Sequence, residues 1–356
     1  MHRCASRCGA RCSPAERQQR GGQGRTIGYR TGGSLLYINI QARQNQAGLA
    51  RSAGILADVL RSAGWAVTIN MAHRSRLTRI RHKAAKLTRS HAYDLNIFLE
   101  HVEPFCLPLA KGQILVPNQE WLRDSSTPYL DEMHSVLCKT RHAEEIFREA
   151  GFRTAFISFT SADRYDAGCP RNYDAFFHLA GSSDQKGTAP LVDLWLAHPE
   201  WPTLTIVQHP RNRLDVQARN ITYISEHIDD QKLRRLQNAM GVHVCPSEAE
   251  GFGHSIVEAM SCRALVVTTD APPMNEIVSA DCGILVKYER TAPRRWGTAY
   301  YVDRGSMEDA IRTAIGMSTA DKAACGERAR AWFEMNDACF RRTVVDAVRS
   351  VATATS

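Results

Sequence analysis

Long apolar runs and closely paired cysteines are both missing from this sequence of 356 residues. No run approaches the ~20 apolar residues of a membrane-spanning helix, so the sequence predicts no such helix. None of the 11 cysteines has the CxxC spacing that is typical of zinc and redox sites. Cys138 and Cys245 lie in apolar segments, where a free thiol behaves as a small hydrophobic side chain. The cysteine pattern therefore predicts a protein of the reducing cytosol.

Acidic residues are scarce at the start of the chain. Residues 1–30 hold seven arginines, no lysine and one acid, Glu16, and so carry +6 of the formal net charge of +8. The remaining 326 residues, with 38 basic and 36 acidic groups, are too balanced to favour nucleic acid as the main partner. Because residues 1–30 lack apolar periodicity, we expect a disordered tail there rather than a metal cluster at Cys4, Cys8 and Cys12. The tail also lacks the apolar region of a secretory signal.

Strand-like and helix-like segments alternate behind the tail. Six short β-rich runs lie between residues 35 and 159, and six more lie between residues 175 and 286, with helical patterns among them. This alternation predicts parallel sheets that are covered by helices on both faces. We therefore predict an α/β fold with two domains, residues 31–162 and 163–335, which face each other across a cleft. The end is predicted to be helical at Met307–Met317, Ala320–Trp332 and Asp337–Val351, with residues 336–356 packing back on the first domain.

Two glutamates flank a glycine-containing turn in the second predicted domain. An apolar strand ends at Cys245, and a new helix begins near Gly253. The amides and partial positive charge of a helix start favour phosphate. Glu250 and Glu258 would repel phosphate, but carboxylates accept hydrogen bonds from sugar hydroxyls. The pattern favours a nucleotide sugar as ligand, although a strand–turn–helix with two surface glutamates stays open as the alternative.

The same segment resembles a known family. Pro246-Ser247-x-x-Glu250-Gly-Phe-Gly-x4-Glu258-Ala-Met is similar to the E-x7-E signature of retaining glycosyltransferases of the GT-B fold, family four (group 1). Residues 175–286 resemble that family well, and residues 34–160 resemble it only in architecture. The resemblance implies two facing Rossmann-like domains and sugar transfer from a nucleotide-diphosphate sugar, with the anomeric configuration retained.

The resemblance also implies roles for residues of the donor site. Glu258 is expected to bind the donor ribose, Glu250 to contact the donor sugar and Lys186 to bind the diphosphate. The sugar and phosphate are expected to lie against backbone amides in the run Gly251, Phe252, Gly253, His254 and Ser255.

One departure concerns the diphosphate clamp. Gly181 is followed by Ser182, where the family usually has an arginine. A departing diphosphate needs positive charge, so Arg211 and Arg213 are the candidates to substitute. No Asp-x-Asp motif lies at a strand end, so we predict no metal and no cofactor beyond the nucleotide-sugar co-substrate. Lys186 and the helix start would take the place of the metal.

Polar residues at strand ends of the first domain are candidates for the acceptor site. Asn118 and Glu120 follow an apolar strand, and we expect them to orient an acceptor hydroxyl or act as its base. Glu100 and His101, at the preceding strand end, are the next candidates. Polar loop residues without a catalytic role are the alternative. The loop at residues 41–48, which has a single glycine, is also assigned to the cleft.

A basic stretch at residues 74–89 contains no acid. Leu77, Ile80, Ala84 and Leu87 fall on one helical face, so this helix would dock either on anionic lipid or on the protein core. We predict a cytoplasmic glycosyltransferase of the hexosyltransferase type, with peripheral contact at the inner face of the membrane. Its acceptor would be a saccharide, a lipid-linked molecule or a small molecule. The alternatives are a nucleotide-sugar epimerase or hydrolase, and an inactive nucleotide-sugar-binding module.

Overall fold

A six-stranded parallel sheet forms the first half of the chain. The computed structural model describes residues 35–43, 47–71 and 91–356; the expected tail at residues 1–30 and the basic helix at 74–89 lie outside these residues. The strands lie in the order β2-β1-β3-β4-β5-β6. Most of their side chains are buried, as expected for strands that are covered on both faces. The elements are β1 Tyr37–Ala42, α1 Ala47–Ser62, β2 Ala66–Met71, β3 Tyr93–Leu99, β4 Ala110–Val116, β5 Ser135–Cys138, α2 Arg141–Glu149 and β6 Thr154–Phe156.

The second half repeats this plan. Its strands lie in the order β12-β11-β10-β7-β8-β9, and every pair is parallel. The predicted α/β fold with two parallel sheets is thereby confirmed. The elements are β7 Asn172–Gly181, α3 Thr188–Ala197, β8 Leu204–Gln208, β9 Ile221–Ile224, α4 Asp230–Ala239, β10 Met240–Cys245, α5 His254–Ser261, β11 Leu265–Thr269, α6 Met274–Ile277 and β12 Gly283–Val286.

The chain ends in two helices, α7 Arg304–Gly316 and α8 Thr319–Thr355. The prediction of separate helices at 320–332 and 337–351 is wrong, because α8 is continuous over 37 residues. No proline or glycine interrupts residues 327–355, so nothing in this stretch breaks the helix. The later turns of α8 lie against the first half, where Thr343 Oγ1 donates to the carbonyl of Ile157 at 2.7 Å.

An antiparallel hairpin that the sequence analysis did not predict joins β12 to α7. It consists of β13 Tyr288–Arg294 and β14 Gly297–Val302. Its tip reaches the first half of the chain, where the Trp296 ring stacks on Phe147 at a centroid distance of 5.3 Å. One continuous hydrophobic core contains residues of both halves, among them Ile40, Phe159 and Phe252. No helix of the described ranges is both long and apolar enough to span a bilayer.

Candidate functional site

The strand order places the candidate donor residues on both sides of the middle of the second sheet. β7 and β10 are neighbours there although they are distant in sequence. In doubly wound sheets, ligands bind at the carboxyl ends of the strands where the strand order reverses. The loop with Lys186 follows β7, and the turn with Glu250 follows β10. The topology therefore brings these two predicted residues to the usual ligand position of such a sheet.

Lys186 and Glu250 form an ion pair. The Lys186 ammonium donates to Glu250 Oε1 and also to Ser255 Oγ at 3.3 Å. Ser247 Oγ donates to the same carboxylate oxygen at 2.7 Å. Burial alone would lower the pKa of Lys186, but the charge and hydrogen bond of Glu250 outweigh burial and raise this pKa. Lys186 is therefore a fixed positive charge at the carboxyl end of the sheet.

The loop that carries Lys186 is held against the strand end of β10. His178 Nδ1 donates to the Val244 carbonyl at 2.7 Å, so its Nε2 accepts from Thr188 Oγ1 at 2.9 Å. Burial lowers the pKa of His178 to about 4, so this bridge stays neutral. Gly187 has a φ of 63°, and a Cβ there would lie 2.2 Å from the Pro246 carbonyl oxygen. Only glycine allows this approach of the lysine loop to the glutamate turn.

Glu258 lies deeper than a surface ligand. It is 1% exposed, and its two oxygens already have protein partners. Arg51 Nη1, from α1 of the first half, donates to Oε1 at 2.5 Å, and Gln237 Nε2 donates to Oε2 at 2.9 Å. Glu258, which is predicted to bind the ribose, is thus part of a hydrogen-bond network that joins the two halves of the chain.

The turn and helix start between the two glutamates also contact the first half. His254 Nε2 lies 2.9 Å from Ser52 Oγ, and its Nδ1 lies 2.7 Å from Ser161 Oγ. Burial lowers the pKa of His254 far below its usual value, and nearby cations act in the same direction. The ring is therefore a neutral bridge between the halves. The Phe252 ring packs on Phe159 at a centroid distance of 5.6 Å.

Of the two arginines predicted to replace the missing clamp, one reaches the Gly181–Ser182 turn. Arg211 Nη2 donates to the Ser182 carbonyl at 3.0 Å. The Arg213 guanidinium lies over the Tyr223 ring instead, 5.4 Å from its centroid. The structure therefore brings Arg211, but not Arg213, into contact with this turn.

The acceptor candidates of the first half form a buried polar cluster. Asn118 Nδ2 donates to Glu100 Oε2 at 3.1 Å, and Glu100 Oε1 lies 3.0 Å from His101 Nε2. Glu100 has a positive φ of 69°, which costs free energy for a residue with a side chain and is typical of functional sites. Burial raises the pKa of Glu120 to about 8, and the carboxylates of Glu250 and Glu100 act in the same direction. Residues 44–46 of the first loop, assigned to the cleft from sequence, lie outside the described ranges.

Several residues of this region were missed by the sequence analysis. Lys139 donates to Asn118 Oδ1 at 2.7 Å, and Gln119 Nε2 donates to the Glu250 carbonyl at 3.0 Å. Lys139 directly follows the buried strand β5, which is the same signal that pointed to Asn118. Arg51 and Gln237 carry no such signal, because their positions depend on contacts between distant segments. No group of three or more His, Cys, Asp or Glu side chains in the described part of the chain is arranged to hold a metal ion.

Comparison with known proteins shows which family and which fold the chain resembles. Residues 214–292 match the family model described as "Glycosyl transferases group 1". The predicted resemblance to this family is confirmed. The alpha-maltose-1-phosphate synthase of Mycolicibacterium smegmatis is 36% identical over 75 residues, which cover 20% of this chain and 19% of that protein. The match thus spans about a fifth of the length of this relative.

Solved structures resemble the chain over most of its length. Sucrose-phosphate synthase from Thermosynechococcus elongatus has a TM-score of 0.66 at 15% identity, covering 89% of this chain and 99% of its own. Anabaena Alr3699/HepE in complex with UDP-glucose has a TM-score of 0.67 at 16% identity, covering 88% and 100%. At such identities the likeness shows the fold, and the chain has the GT-B architecture.

Proposed function

We propose that this protein transfers a glycosyl group from a nucleoside-diphosphate sugar to an acceptor hydroxyl. The observation that carries the proposal is the Lys186–Glu250 pair at the carboxyl ends of β7 and β10. A cation for a diphosphate and a carboxylate for sugar hydroxyls are thereby held side by side. The match to group 1 glycosyl transferases and the GT-B architecture support glycosyl transfer as the class of reaction.

The leaving diphosphate gains negative charge as the glycosidic bond breaks, so the site must supply positive charge there. Lys186 and the start of α5 are the proposed sources, and Arg211 at the Ser182 carbonyl is a third. When the diphosphate takes the Lys186 ammonium as its partner, the Glu250 carboxylate becomes free to accept hydrogen bonds from the donor sugar. In this proposal no metal ion takes part, and the anomeric configuration is retained.

The acceptor is proposed to bind on the side of the first half, next to Glu120 and Asn118. Glu120 Oε2 is buried and accepts no hydrogen bond from the described residues, so it can accept one from an acceptor hydroxyl. The hydroxyl proton passes to this carboxylate as the new bond from the acceptor oxygen to the sugar forms. A saccharide, a lipid-linked molecule and a small polyol all carry such a hydroxyl. Contact of residues 74–89 with anionic lipid would favour the lipid-linked class.

The first test is binding of nucleoside diphosphates, measured as a rise in the temperature of unfolding. A ligand at 100 times its Kd stabilises the native state by about 2.7 kcal/mol. UDP should be tested first, because HepE is crystallised with UDP-glucose. We expect at least one nucleoside diphosphate to stabilise the protein, and stabilisation by none of them would contradict a donor site in this cleft.

The second test is sugar transfer with the donor so identified, with and without excess EDTA. We expect equal turnover in both conditions and a product that keeps the anomeric configuration of the donor. Loss of turnover in EDTA would overturn the metal-free mechanism. Donor consumption without an acceptor would favour the epimerase or hydrolase, and binding without turnover across many acceptors would favour the inactive binding module.

A further inference from the structure

Lys139 is a buried cation in the first half, outside the residues predicted from the sequence motif. It directly follows β5 and is 3% exposed. Its ammonium donates to Asn118 Oδ1 at 2.7 Å and lies 5.0 Å from the centroid of the Phe159 ring. Removing an ammonium from water costs several kcal/mol unless nearby groups compensate. The buried charge of Lys139 is therefore expected to be compensated by the polar groups around it.

Asn118, which accepts the hydrogen bond from Lys139, lies at the contact between the two halves. With its Oδ1 held by Lys139, the Asn118 amide can donate from Nδ2 to Glu100. Asn118 also lies against Gly251, where a Cβ would come within 2.3 Å of Asn118 Oδ1. Gly251 directly follows Glu250 in the turn of the proposed donor site. Lys139 therefore supports the Asn118 side chain, against which this turn packs.

The second role of Lys139 concerns the charge near Glu120. The charged groups that act on this carboxylate are Lys139 and Glu100 from the first half, and Glu250 and Lys186 from the second. Lys139 favours the ionised form of Glu120, whereas burial and the two carboxylates oppose it. Burial lowers the pKa of Lys139 itself to about 8, against the opposing effect of Glu120 and Glu100.

We propose that Lys139 is a positioning residue of the acceptor site, whose ammonium fixes the Asn118 amide and acts electrostatically on the Glu120 carboxylate of the same loop. The inference rests on the proposed function, in which Glu120 takes the proton of the acceptor hydroxyl. A lysine that only braced the packing of β5 would affect stability without changing the ionisation of Glu120. The two roles therefore differ in their dependence on pH.

The kinetic test compares Lys139→Met with Lys139→Arg and with Lys322→Met. Lys322 is the matched control, because it is also buried and its ammonium donates to a backbone oxygen, that of Tyr173, at 3.1 Å. Loss of an opposite charge that acts on a carboxyl group raises its pKa, typically by about one unit or more. Glu120 must be ionised to act as a base, so kcat/KM should rise as pH increases through about 8 in the parent protein.

In Lys139→Met the rise should move to higher pH by about one unit, and turnover at pH 7 should fall about tenfold. The rise should keep its position in Lys322→Met. In Lys139→Arg, which stays charged throughout this pH range, the rise should lie at the parent position or at lower pH. The Kd of the nucleoside diphosphate should stay within about threefold of the parent value in every variant. An unchanged pH profile in Lys139→Met would overturn the proposal.

A second measurement decides the inference without any sugar transfer. Glutamate carboxyl carbons labelled with ¹³C are followed by NMR as the pH is raised, and Glu120→Gln identifies the resonance of Glu120. This resonance should titrate near pH 8 in the parent protein and at higher pH in Lys139→Met. Titration at the same pH in both proteins would refute the electrostatic role of Lys139, whatever the transfer assay gives. Failure of transfer with the NMR shift present would count against the proposed function alone.

Discussion

At the residue scale, each predicted donor glutamate is already paired with a cation of the protein. Glu250 is held by Lys186 from the same half, and Glu258 by Arg51 from the other half. Removal of either glutamate leaves its cation without that partner, and this loss by itself lowers the free energy of unfolding. Neutral substitutions of similar shape therefore separate ligand binding from structural damage better than truncation does.

Glu258→Gln should weaken binding of the nucleoside diphosphate about tenfold. A hydrogen bond to a charged group contributes roughly 1.5–3 kcal/mol, and the neutral amide keeps only part of it. Isothermal titration calorimetry gives the Kd, with Glu289→Gln, an exposed glutamate of the hairpin, as the control. Equal affinity in Glu258→Gln and in the control would show that Glu258 does not bind the ribose.

Glu250→Gln should give a different result. Glu250 competes with the diphosphate for the Lys186 ammonium, so the free nucleotide should bind with unchanged or higher affinity. Sugar transfer should nevertheless fall about 100-fold or more, because the carboxylate proposed to contact the donor sugar is lost. Calorimetry and steady-state turnover measure the two effects. Weaker nucleotide binding combined with normal turnover would contradict the role assigned to Glu250.

At the element scale, the hairpin of β13 and β14 connects the second half to the loop that carries Asn118 and Glu120. The Trp296 amide donates to the Gln119 carbonyl at 3.3 Å, and the Trp296 ring packs against Phe147 and Phe152. The Arg294 guanidinium lies 4.9 Å from the centroid of the Trp121 ring. The hairpin, which belongs to the second half, thus holds the loop that carries Glu120.

Trp296→Ala should destabilise the protein and weaken its use of the acceptor. Aromatic pairs contribute about 0.5–1.5 kcal/mol beyond burial of their area, so we expect a loss of about 2 kcal/mol in the free energy of unfolding. Tyr288→Ala, which removes a more exposed ring at the other end of the hairpin, should cost less. Urea unfolding and the KM for the acceptor are the measurements. Equal stability of the two variants would contradict the anchoring role of Trp296.

The parallel strands and most helices could be predicted from sequence, because apolar runs and caps are local signals. Asp229, for example, caps α4 by accepting from the Lys232 amide. The hairpin could not be predicted in this way, because β13 is largely exposed and contains Pro293. In the site, the turn between Glu250 and Glu258 could be predicted from its motif. The position of Arg51 could not be predicted, because Arg51 is 207 residues from Glu258 and only the packing of the two halves brings them together.

At the scale of the whole molecule, a carboxylate of the second half caps a helix of the first. Glu276, at α6, accepts from the backbone amides of Arg141 and His142 at 2.7 Å each. These amides belong to the first turn of α2, where no partner within the helix exists. A cavity of about 410 Å³ lies beside this contact and is lined by residues of both elements, including Arg148 and Glu145. The cap therefore helps to hold the two halves together.

Glu276→Ala should lower the free energy of unfolding by about 1 kcal/mol, the usual cost of losing a helix cap. Amide hydrogen exchange at Arg141 and His142 should become faster. Glu145→Ala is the control, because Glu145 lines the same cavity but belongs to α2 itself. Unchanged exchange at the two amides in Glu276→Ala would show that the cap across the halves is not formed in solution.

The most direct test of the whole account is turnover of Lys186→Ala, measured beside the exposed control Lys232→Ala. Lys186 is the fixed cation at the carboxyl ends of β7 and β10, where we place the leaving diphosphate. Loss of such an electrostatic group typically costs 10²–10³ in turnover. The account predicts a fall of at least this size for Lys186→Ala and turnover close to the parent value for Lys232→Ala. If Lys186→Ala instead stays within a few-fold of the parent, the diphosphate does not bind at Lys186 and its proposed position in the cleft is wrong.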